Sequence, residues 1–295
     1  MKRIDIAKKK RINLSDYQYK AAKKEDCKVF IDCDCIVYEN GIPKILYCKV
    51  NPNVELLELV KKIKYNPVLR TKSSVHKHMK GSTDRIGTGN IKDGSCAVFG
   101  YRPRRIGSLY ADFCSESAIG INNNPAQQEL MSYGLELSKL YRKHFPDIYN
   151  NHIKKTRLKI KEDWIMGNTP FTSGIVNKNN SLKYHFDSGN FKGVLSNMVV
   201  FKDDCDGGYL CCPEYDICFE VADRTCIIFD GQDILHGVTP IKYNTEYSNR
   251  YSIVYYSLSE MWRCNYLEDE VIIARNRQYE KEIKNINSDR QMKLL

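Results

Sequence analysis

The chain has 295 residues, 42% hydrophobic and 28% charged, which excludes wholesale disorder and fits one large domain or a core domain with an extension. No apolar run is long enough to span a bilayer, and the first residues lack the apolar core of a signal peptide. We therefore expect an intracellular protein, in the cytoplasm or nucleus of a cell or infected host. The formal net charge of +10 suits a polyanionic partner, although solvated lysine-rich faces would also explain it.

Twelve cysteines raise the question of disulfides or a zinc site. In a long chain without a signal peptide, reduced thiols are the better interpretation. Two groups lie close together in the sequence, but neither has the paired C-x-x-C knuckles of a zinc site: Cys27, Cys33, Cys35 and Cys48, and Cys205, Cys211, Cys212 and Cys218. We expect these cysteines to be small, semi-apolar strand residues.

The sequence predicts that residues 1–95 form a basic lead-in followed by a β-hairpin, a helix and loops that pack on the core. Asn40-Gly41, a strong turn signal, separates two β-rich runs between residues 27 and 50. Asn53 is a candidate N-cap for the short helix that follows.

Residues 66–108 are rich in Lys, Ser, Gly and Arg, which predicts long loops around one strand at 97–99. The basic run at 102–105 fits two interpretations. It is either a solvated turn or a contact for phosphate or a substrate carboxylate.

Residues 96–275 are the predicted core, and residues 276–295 form a charged tail, either helical or frayed. In the core, Asn124 and Pro125 predict an N-cap and the first residue of a helix that ends near Phe145.

Eight short β-rich runs follow in about ninety residues. They are Phe171–Asn177, Leu182–Asp187, Gly193–Lys202, Gly208–Cys212, Ile217–Val221, Thr225–Phe229, Ile234–Ile241 and Arg250–Leu258. Such spacing predicts a double-stranded β-helix, or jelly roll, so we expect an α+β fold with a jelly-roll core, an N-terminal hairpin and support helices.

His185 and Asp187 lie at the end of the second run. Residues i and i+2 of a strand point to the same side, so both side chains can bind one ion. His236 follows 49 residues after Asp187, on a late strand. Two histidines and one carboxylate form the facial triad of non-haem iron(II) oxygenases, which leaves coordination positions open for an oxo-acid and dioxygen.

Arg250 follows 14 residues after His236, on the last strand. Its guanidinium can pair with the far carboxylate of 2-oxoglutarate through two parallel hydrogen bonds. Ser252 faces the same side and can donate a third. The sequence therefore predicts an Fe(II)- and 2-oxoglutarate-dependent dioxygenase, with dioxygen as co-substrate.

Five blocks carry a resemblance to known proteins: Phe171–Asn177, His185–Asn190, Gly207–Leu210 followed by Pro213, His236–Ile241 and Arg250–Tyr256. With them, residues 171–258 resemble the TET and J-binding-protein (JBP) family of dioxygenases, which oxidise the 5-methyl group of pyrimidines in nucleic acid. The resemblance fades before about residue 95. The cysteine- and zinc-rich region of animal TET proteins has no counterpart here, so the chain looks like a minimal microbial, phage or viral member.

The resemblance implies that His185, Asp187 and His236 hold iron, while Arg250 and Ser252 bind 2-oxoglutarate. It also implies that Asn190 hydrogen-bonds a flipped base and that Tyr256 stacks on it, roles that suit an amide and an aromatic ring. Animal members carry a base-contacting histidine where this chain has Leu258. The base therefore remains open between 5-methylcytosine and thymine.

The expected partner is DNA with a methylated pyrimidine, and we expect no binding to a membrane. Two alternatives stay open. The first is a dioxygenase of the same kind that acts on RNA, protein side chains or a small molecule. The second is a non-catalytic jelly-roll module that binds nucleic acid or sugar.

Overall fold

A computed structural model describes residues 1–7, 12–67, 94–104 and 112–292, with side chains described as far as residue 285. Most of the loop region predicted between 66 and 108 lies outside these residues, as does Arg105 of its basic run.

The described part of the chain contains seventeen strands and five α-helices. The strands are β1 (Lys2–Ile6), β2 (Val29–Ile31), β3 (Cys35–Glu39), β4 (Ile42–Lys49), β5 (Asn66–Pro67), β6 (Ser95–Arg102), β7 (Ser115–Glu116), β8 (Ser173–Lys178), β9 (Leu182–His185), β10 (Ser196–Asp203), β11 (Cys205–Gly207), β12 (Leu210–Cys212), β13 (Ile217–Phe219), β14 (Thr225–Phe229), β15 (His236–Val238), β16 (Ile241–Tyr243) and β17 (Asn249–Tyr256). The helices are α1 (Val54–Lys62), α2 (Ala118–Asn122), α3 (Asn124–His144), α4 (Pro146–Lys159) and α5 (Leu267–Met292).

Two sheets face each other across an apolar core. The larger has ten strands in the order β1-β3-β4-β14-β10-β17-β8-β6-β5, with β7 paired to β6, and the smaller has five in the order β2-β13-β12-β15-β9. Val200 and Phe229 from the larger sheet pack with Leu210 and Phe219 from the smaller. The predicted α+β fold with a double-stranded β-helix is confirmed.

Helices α1 and α3 cover the other face of the larger sheet, as predicted for support helices. Leu137 of α3 packs in the same cluster as Val199 and Ile253. The Tyr255 hydroxyl donates to the carbonyl of Leu130 at 2.7 Å. This face is therefore closed by helices, and the opposite face is free to form a site between the sheets.

The turn and cap signals were mostly correct. Asn40 and Gly41 both have positive φ and join β3 to β4, and Asn53 accepts the amide of Leu56 at 2.9 Å. The prediction for α3 was wrong by one residue. Asn123 is its N-cap, because the Asn123 side chain accepts the amide of Ala126 and its carbonyl accepts that of Gln127.

Two strand predictions also need correction. The run Ile234–Ile241 is divided into β15 and β16, because Pro240 has no N–H to continue a ladder, and β16 pairs instead with β11. Strand β11 itself was not predicted. It begins after Asp204, whose φ of +47° turns the chain out of β10.

The expectation of reduced thiols throughout was wrong for one pair. Cys114 and Cys264 form a disulfide across 150 residues, a pairing that only the fold brings together. The other ten cysteines are free, and most are buried, as expected for strand residues. Within the described part of the chain, no cysteine joins a group of three or more metal ligands.

Beside this disulfide, the buried carboxylate of Glu270 accepts the amide of Cys114 and pairs with Arg104. Arg104 of the predicted basic run is therefore held in a structural ion pair. Helix α5, which carries Glu270, begins at Leu267 and runs through the expected start of the tail at 276. The division into lead-in, core and tail stays a prediction. No helix among the described residues is long and apolar enough to cross a membrane.

His152 of α4 generates a prediction about acid stability. Its Nε2 lies 2.8 Å from the hydroxyl of Ser257, which itself donates to the carbonyl of Pro170. Burial, aided by the charge of Lys155, lowers the pKa of His152 from 6.5 to about 3. Between these two pH values the His152 imidazole is protonated in the unfolded chain but neutral in the folded chain. The free energy of unfolding therefore falls as the pH falls.

We expect this histidine to lower the free energy of unfolding by about 1.4 kcal/mol per pH unit below 6.5. In His152→Gln that part of the slope should disappear. Urea denaturation at a series of pH values measures both slopes, and equal slopes in the two proteins would contradict the prediction.

Candidate active site

The smaller sheet sets the positions of the two predicted histidine ligands. Strand β15 runs antiparallel to β9, and His236 lies directly opposite His185. The centroids of the two imidazole rings are 4.4 Å apart. Side chains in facing positions of neighbouring strands point to one side of the sheet, here into the space between the two sheets.

Asp187 completes the group just beyond the end of β9. Its amide donates to the carbonyl of Gly231 at 2.8 Å, which ties the residue to the loop before β15. One carboxylate oxygen lies 3.5 Å from Nε2 of His185 and 3.7 Å from Nε2 of His236. The three ligand atoms lie within 4.8 Å of one another, so they could hold one metal ion.

The protonation of both imidazoles suits metal binding. Nδ1 of His185 lies 2.7 Å from the carbonyl of Lys183, and Nδ1 of His236 lies 2.9 Å from that of Ile234. A carbonyl only accepts hydrogen bonds, so each Nδ1 carries the proton and each Nε2 presents a lone pair. The donor set of two imidazole nitrogens and one carboxylate oxygen fits ferrous iron and leaves coordination positions open.

Electrostatics keep these groups in their metal-binding forms. Burial, and then the neighbouring His185, lower the pKa of His236 to about 4, so its ring is neutral at neutral pH. Burial acts to raise the pKa of Asp187, but the neighbouring imidazoles of His185 and His236 lower it overall. The carboxylate is therefore ionised, and it still reaches the cavity, since its side chain is 32% exposed.

A cavity of about 380 Å³ opens between the two sheets. All seven site residues predicted from the sequence line it: His185, Asp187, Asn190, His236, Arg250, Ser252 and Tyr256. Most of the remaining lining is apolar and includes Leu182, Met198, Leu210, Phe229, Val238 and Val254. The structure thus brings every predicted residue to one place, and their roles stay predictions.

Arg250 is the most unusual group in this cavity. It is only 2% exposed, and its Nε and Nη2 atoms find no hydrogen-bond partner among the described residues. Burial lowers its pKa to about 10, so the guanidinium remains charged at neutral pH. A buried cation with free donors is costly unless an anion pairs with it. A ligand carboxylate, such as that of 2-oxoglutarate, fits this requirement.

The hydroxyl of Ser252 adds a hydrogen-bond donor to the same anion site, and two asparagines lie next to it. The hydroxyl of Ser252 accepts from the amide of Asn177 at 3.3 Å, so its own proton is free for a ligand. Asn180 donates to Asn177, and its Oδ1 is buried without a partner among the described residues. Sequence reasoning missed both asparagines, because in the sequence they look like ordinary strand-end and turn residues.

Two glycines that leave room for functional side chains were also missed as site residues. A Cβ at Gly231 would lie 2.1 Å from a carboxylate oxygen of Asp187. A Cβ at Gly208, where φ is +64°, would lie 2.8 Å from Cδ of Arg250. The Gly207-Gly208 pair was a visible signal, whereas nothing in the sequence near Gly231 points to the metal ligands.

Asn190 and Tyr256 also line this cavity. Asn190 forms an isolated β-bridge with Leu258, and its side-chain amide lies 3.3 Å from the hydroxyl of Ser196. Burial, and then the charge of Asp187, raise the pKa of Tyr256, so this phenol stays neutral. An amide and an aromatic ring therefore share the cavity with the three ligand atoms.

Comparisons with known proteins agree with this geometry. The family model Tet_JBP, the oxygenase domain of the 2OGFeDO superfamily, matches residues 118–259. The predicted resemblance to the TET and JBP family is confirmed, and the matched region contains all seven predicted site residues.

Two relatives are bifunctional helicase and thymine dioxygenase JBP2 proteins. The one from Trypanosoma brucei brucei is 32% identical over 123 residues, and the one from Trypanosoma cruzi is 27% identical over 147 residues. These matches cover 41% and 47% of this chain, but only 11% and 13% of the relatives. The solved structure of NgTET1 in complex with 5mC DNA is similar in fold, with a TM-score of 0.56 and 14% identity over 87% of this chain and 88% of that one.

The space at Gly231 predicts a selective loss of metal binding. In Gly231→Ala the new methyl group must displace the Asp187 carboxylate, so we expect Fe(II) affinity to fall by roughly 10- to 100-fold. Anaerobic titration with Fe(II) measures the change. Gly167→Ala is the control: alanine is strained at its φ of +53°, but the position is exposed with open space around it, so this variant should lose some stability and still bind iron as the unchanged protein does. Unchanged affinity in Gly231→Ala would contradict the prediction.

The space at Gly208 predicts a different defect. Gly208→Ala should push the Arg250 side chain aside and weaken 2-oxoglutarate binding by about tenfold, equivalent to roughly 1.4 kcal/mol. Its Fe(II) affinity should not change. Calorimetric titration of the metal-loaded protein measures the affinity for 2-oxoglutarate. If Gly208→Ala lowered the affinity for Fe(II) as well, the two glycines would not have separate tasks, and the prediction would be contradicted.

Proposed function

We propose that this protein is an Fe(II)- and 2-oxoglutarate-dependent dioxygenase that hydroxylates the 5-methyl group of a pyrimidine in DNA. The observation that carries this proposal is the pairing of two incomplete sites in one cavity. Three ligand atoms could hold a metal ion with open positions, and a buried guanidinium lacks an anion. A 2-oxo acid satisfies both, since one end can bind iron and the other can pair with Arg250.

In this proposal each residue keeps a task that its surroundings support. His185, Asp187 and His236 would hold iron, and Arg250 and Ser252 would bind the far carboxylate of 2-oxoglutarate. When bound, iron and 2-oxoglutarate supply the activation of dioxygen that oxidises an unactivated methyl carbon. The apolar lining keeps water away from the reacting carbon.

The substrate end rests on two further residues. Asn190 would hydrogen-bond the polar edge of a base taken out of its stack, and Tyr256 would pack against its face. Leu258, paired with Asn190, adds an apolar surface there. Two relatives are named as thymine dioxygenases, which makes thymine the first base to test and 5-methylcytosine the second.

The direct test supplies Fe(II), 2-oxoglutarate, dioxygen and DNA, with nucleosides measured by mass spectrometry and succinate measured in parallel. We expect a hydroxymethylated pyrimidine and one succinate for each oxidised base. His185→Ala should abolish both products, because it removes a metal ligand. His144→Ala is the control, since it removes a half-buried histidine from α3, and it should retain activity.

The substrates should include thymine in DNA, 5-methylcytosine in DNA and methylated RNA. If none yields an oxidised base while the protein binds iron and 2-oxoglutarate, the substrate proposal is wrong. Failure to bind either cofactor would overturn the dioxygenase proposal itself.

A further inference from the structure

Two short segments held against each other form an exposed edge of the cavity, which we call its mouth: Ser188, Asn190 and Leu258 line the cavity, and Ser188 is exposed to solvent. Asn190 bridges Leu258, the amide of Phe191 donates to the carbonyl of Ser257, and the amide of Ser259 donates to the carbonyl of Gly189. A 3₁₀ helix, Ser259–Arg263, continues from this edge. Residues close to the 3₁₀ helix therefore lie next to the entrance.

The end of α4 brings positive charge to the same edge. Residues 154–161 read Lys-Lys-Thr-Arg-Leu-Lys-Ile-Lys, with five basic residues and no acidic one. The ammonium of Lys155 donates to the carbonyl of Lys192 at 2.8 Å, two residues from Asn190. This contact anchors the basic segment beside the wall that carries the proposed base-reading residue.

Two exposed aromatic residues lie under these lysines. Trp262 is 49% exposed and Tyr266 is 55% exposed. Nζ of Lys159 lies 4.8 Å from the ring centroid of Trp262, and Nζ of Lys161 lies 4.6 Å from that of Tyr266. We name Lys155, Lys159, Lys161, Trp262 and Tyr266 the basic–aromatic rim.

The charge of the rim is available for a ligand. Neither Lys159 nor Lys161 forms an ion pair within the part of the chain that the structure describes. Of the nearby carboxylates, the exposed Glu162 forms no ion pair with either lysine among the described residues, and two others have partners of their own. Asp163 accepts the amide of Leu267, and Glu260 pairs with Arg263. Large exposed aromatics beside unpaired cations are the combination that binds single-stranded nucleic acid, where bases stack and phosphates are neutralised.

We propose that the basic–aromatic rim binds the DNA strand on one side of the flipped base. Lys159 and Lys161 contact backbone phosphates, and Trp262 stacks on an unpaired base next to the target. The proposal rests on the proposed function, because continuity with the cavity mouth is what selects DNA as the occupant. It assigns strand binding to residues outside the cavity and outside the set predicted from the sequence.

The charge contribution is tested with the iron-loaded 295-residue protein and a labelled DNA duplex that carries one unpaired target base. Fluorescence anisotropy at increasing NaCl gives the affinity and its salt dependence. For Lys159→Ala/Lys161→Ala we expect the slope of log affinity against log salt to fall by roughly 1 to 2. The matched control, Lys61→Ala/Lys62→Ala, removes two lysines from α1 on the other face of the larger sheet, and its slope should not change.

The stacking contribution is tested with Trp262→Ala and Trp262→Phe. We expect the alanine variant to bind the duplex about tenfold more weakly with an unchanged salt slope, and the phenylalanine variant to retain most of the affinity. Tyr247→Ala is the control. Tyr247 is 79% exposed and lies just before the first residue of β17, at the opposite end of that strand from Tyr256. Thermal unfolding should be the same in all variants, which separates binding from folding defects.

Each outcome decides a different point. If the unchanged protein oxidises DNA but the rim variants bind with its affinity and its salt slope, the rim inference fails alone. If Lys159→Arg/Lys161→Arg behaves like the alanine pair, the lysines do not act through charge, and the inference also fails. If the unchanged protein neither binds nor oxidises DNA, the proposed function fails, and the rim inference fails with it.

Discussion

The register between β9 and β15 is the constraint on which the rest of the site depends. It sets His185 opposite His236 and so fixes the positions of both Nε2 atoms. A shift of one residue would turn either side chain to the other face of the sheet. Asp187 then needs room at the end of β9, and Gly231 leaves that room while its carbonyl accepts the Asp187 amide. The arrangement of the three proposed ligand atoms thus depends on a strand pairing and one missing side chain.

The second requirement is an anion for Arg250. A buried guanidinium with free donors disfavours the folded state on its own, so its position beside the cavity indicates an anionic ligand. The strand pairing of β17 fixes the backbone of Arg250, and Gly208 leaves space for the aliphatic part of the Arg250 side chain. The cation and the ionised Asp187 therefore lie in one cavity without pairing with each other, and a dicarboxylate with a 2-oxo group can connect the two positions.

Local patterns in the sequence predicted the jelly roll, the three proposed metal ligands, Arg250 and Ser252, because strand alternation and chain order are local properties. The i, i+2 spacing of His185 and Asp187 is one such case. Asn190 and Tyr256 were predicted only from the family resemblance. Features set by tertiary contact escaped prediction. Cys114 and Cys264 are 150 residues apart, and the partner of Arg104, Glu270, lies on a helix whose start at Leu267 was not foreseen. The effect of Gly231 depends on what lies beside it in space, which its neighbours in sequence do not reveal.

The measurement that tests the central claim most directly is an anaerobic titration of the Fe(II)-loaded protein with 2-oxoglutarate, followed by visible absorption. Without dioxygen the complex cannot turn over, so binding is seen alone. We predict a charge-transfer band that saturates with one equivalent of 2-oxoglutarate. The band should be absent in Asp187→Ala, and in Arg250→Met it should require a much higher concentration of 2-oxoglutarate. Iron binding without any such band, or an Arg250→Met protein with unchanged affinity, would contradict the assignment of metal and co-substrate to this cavity.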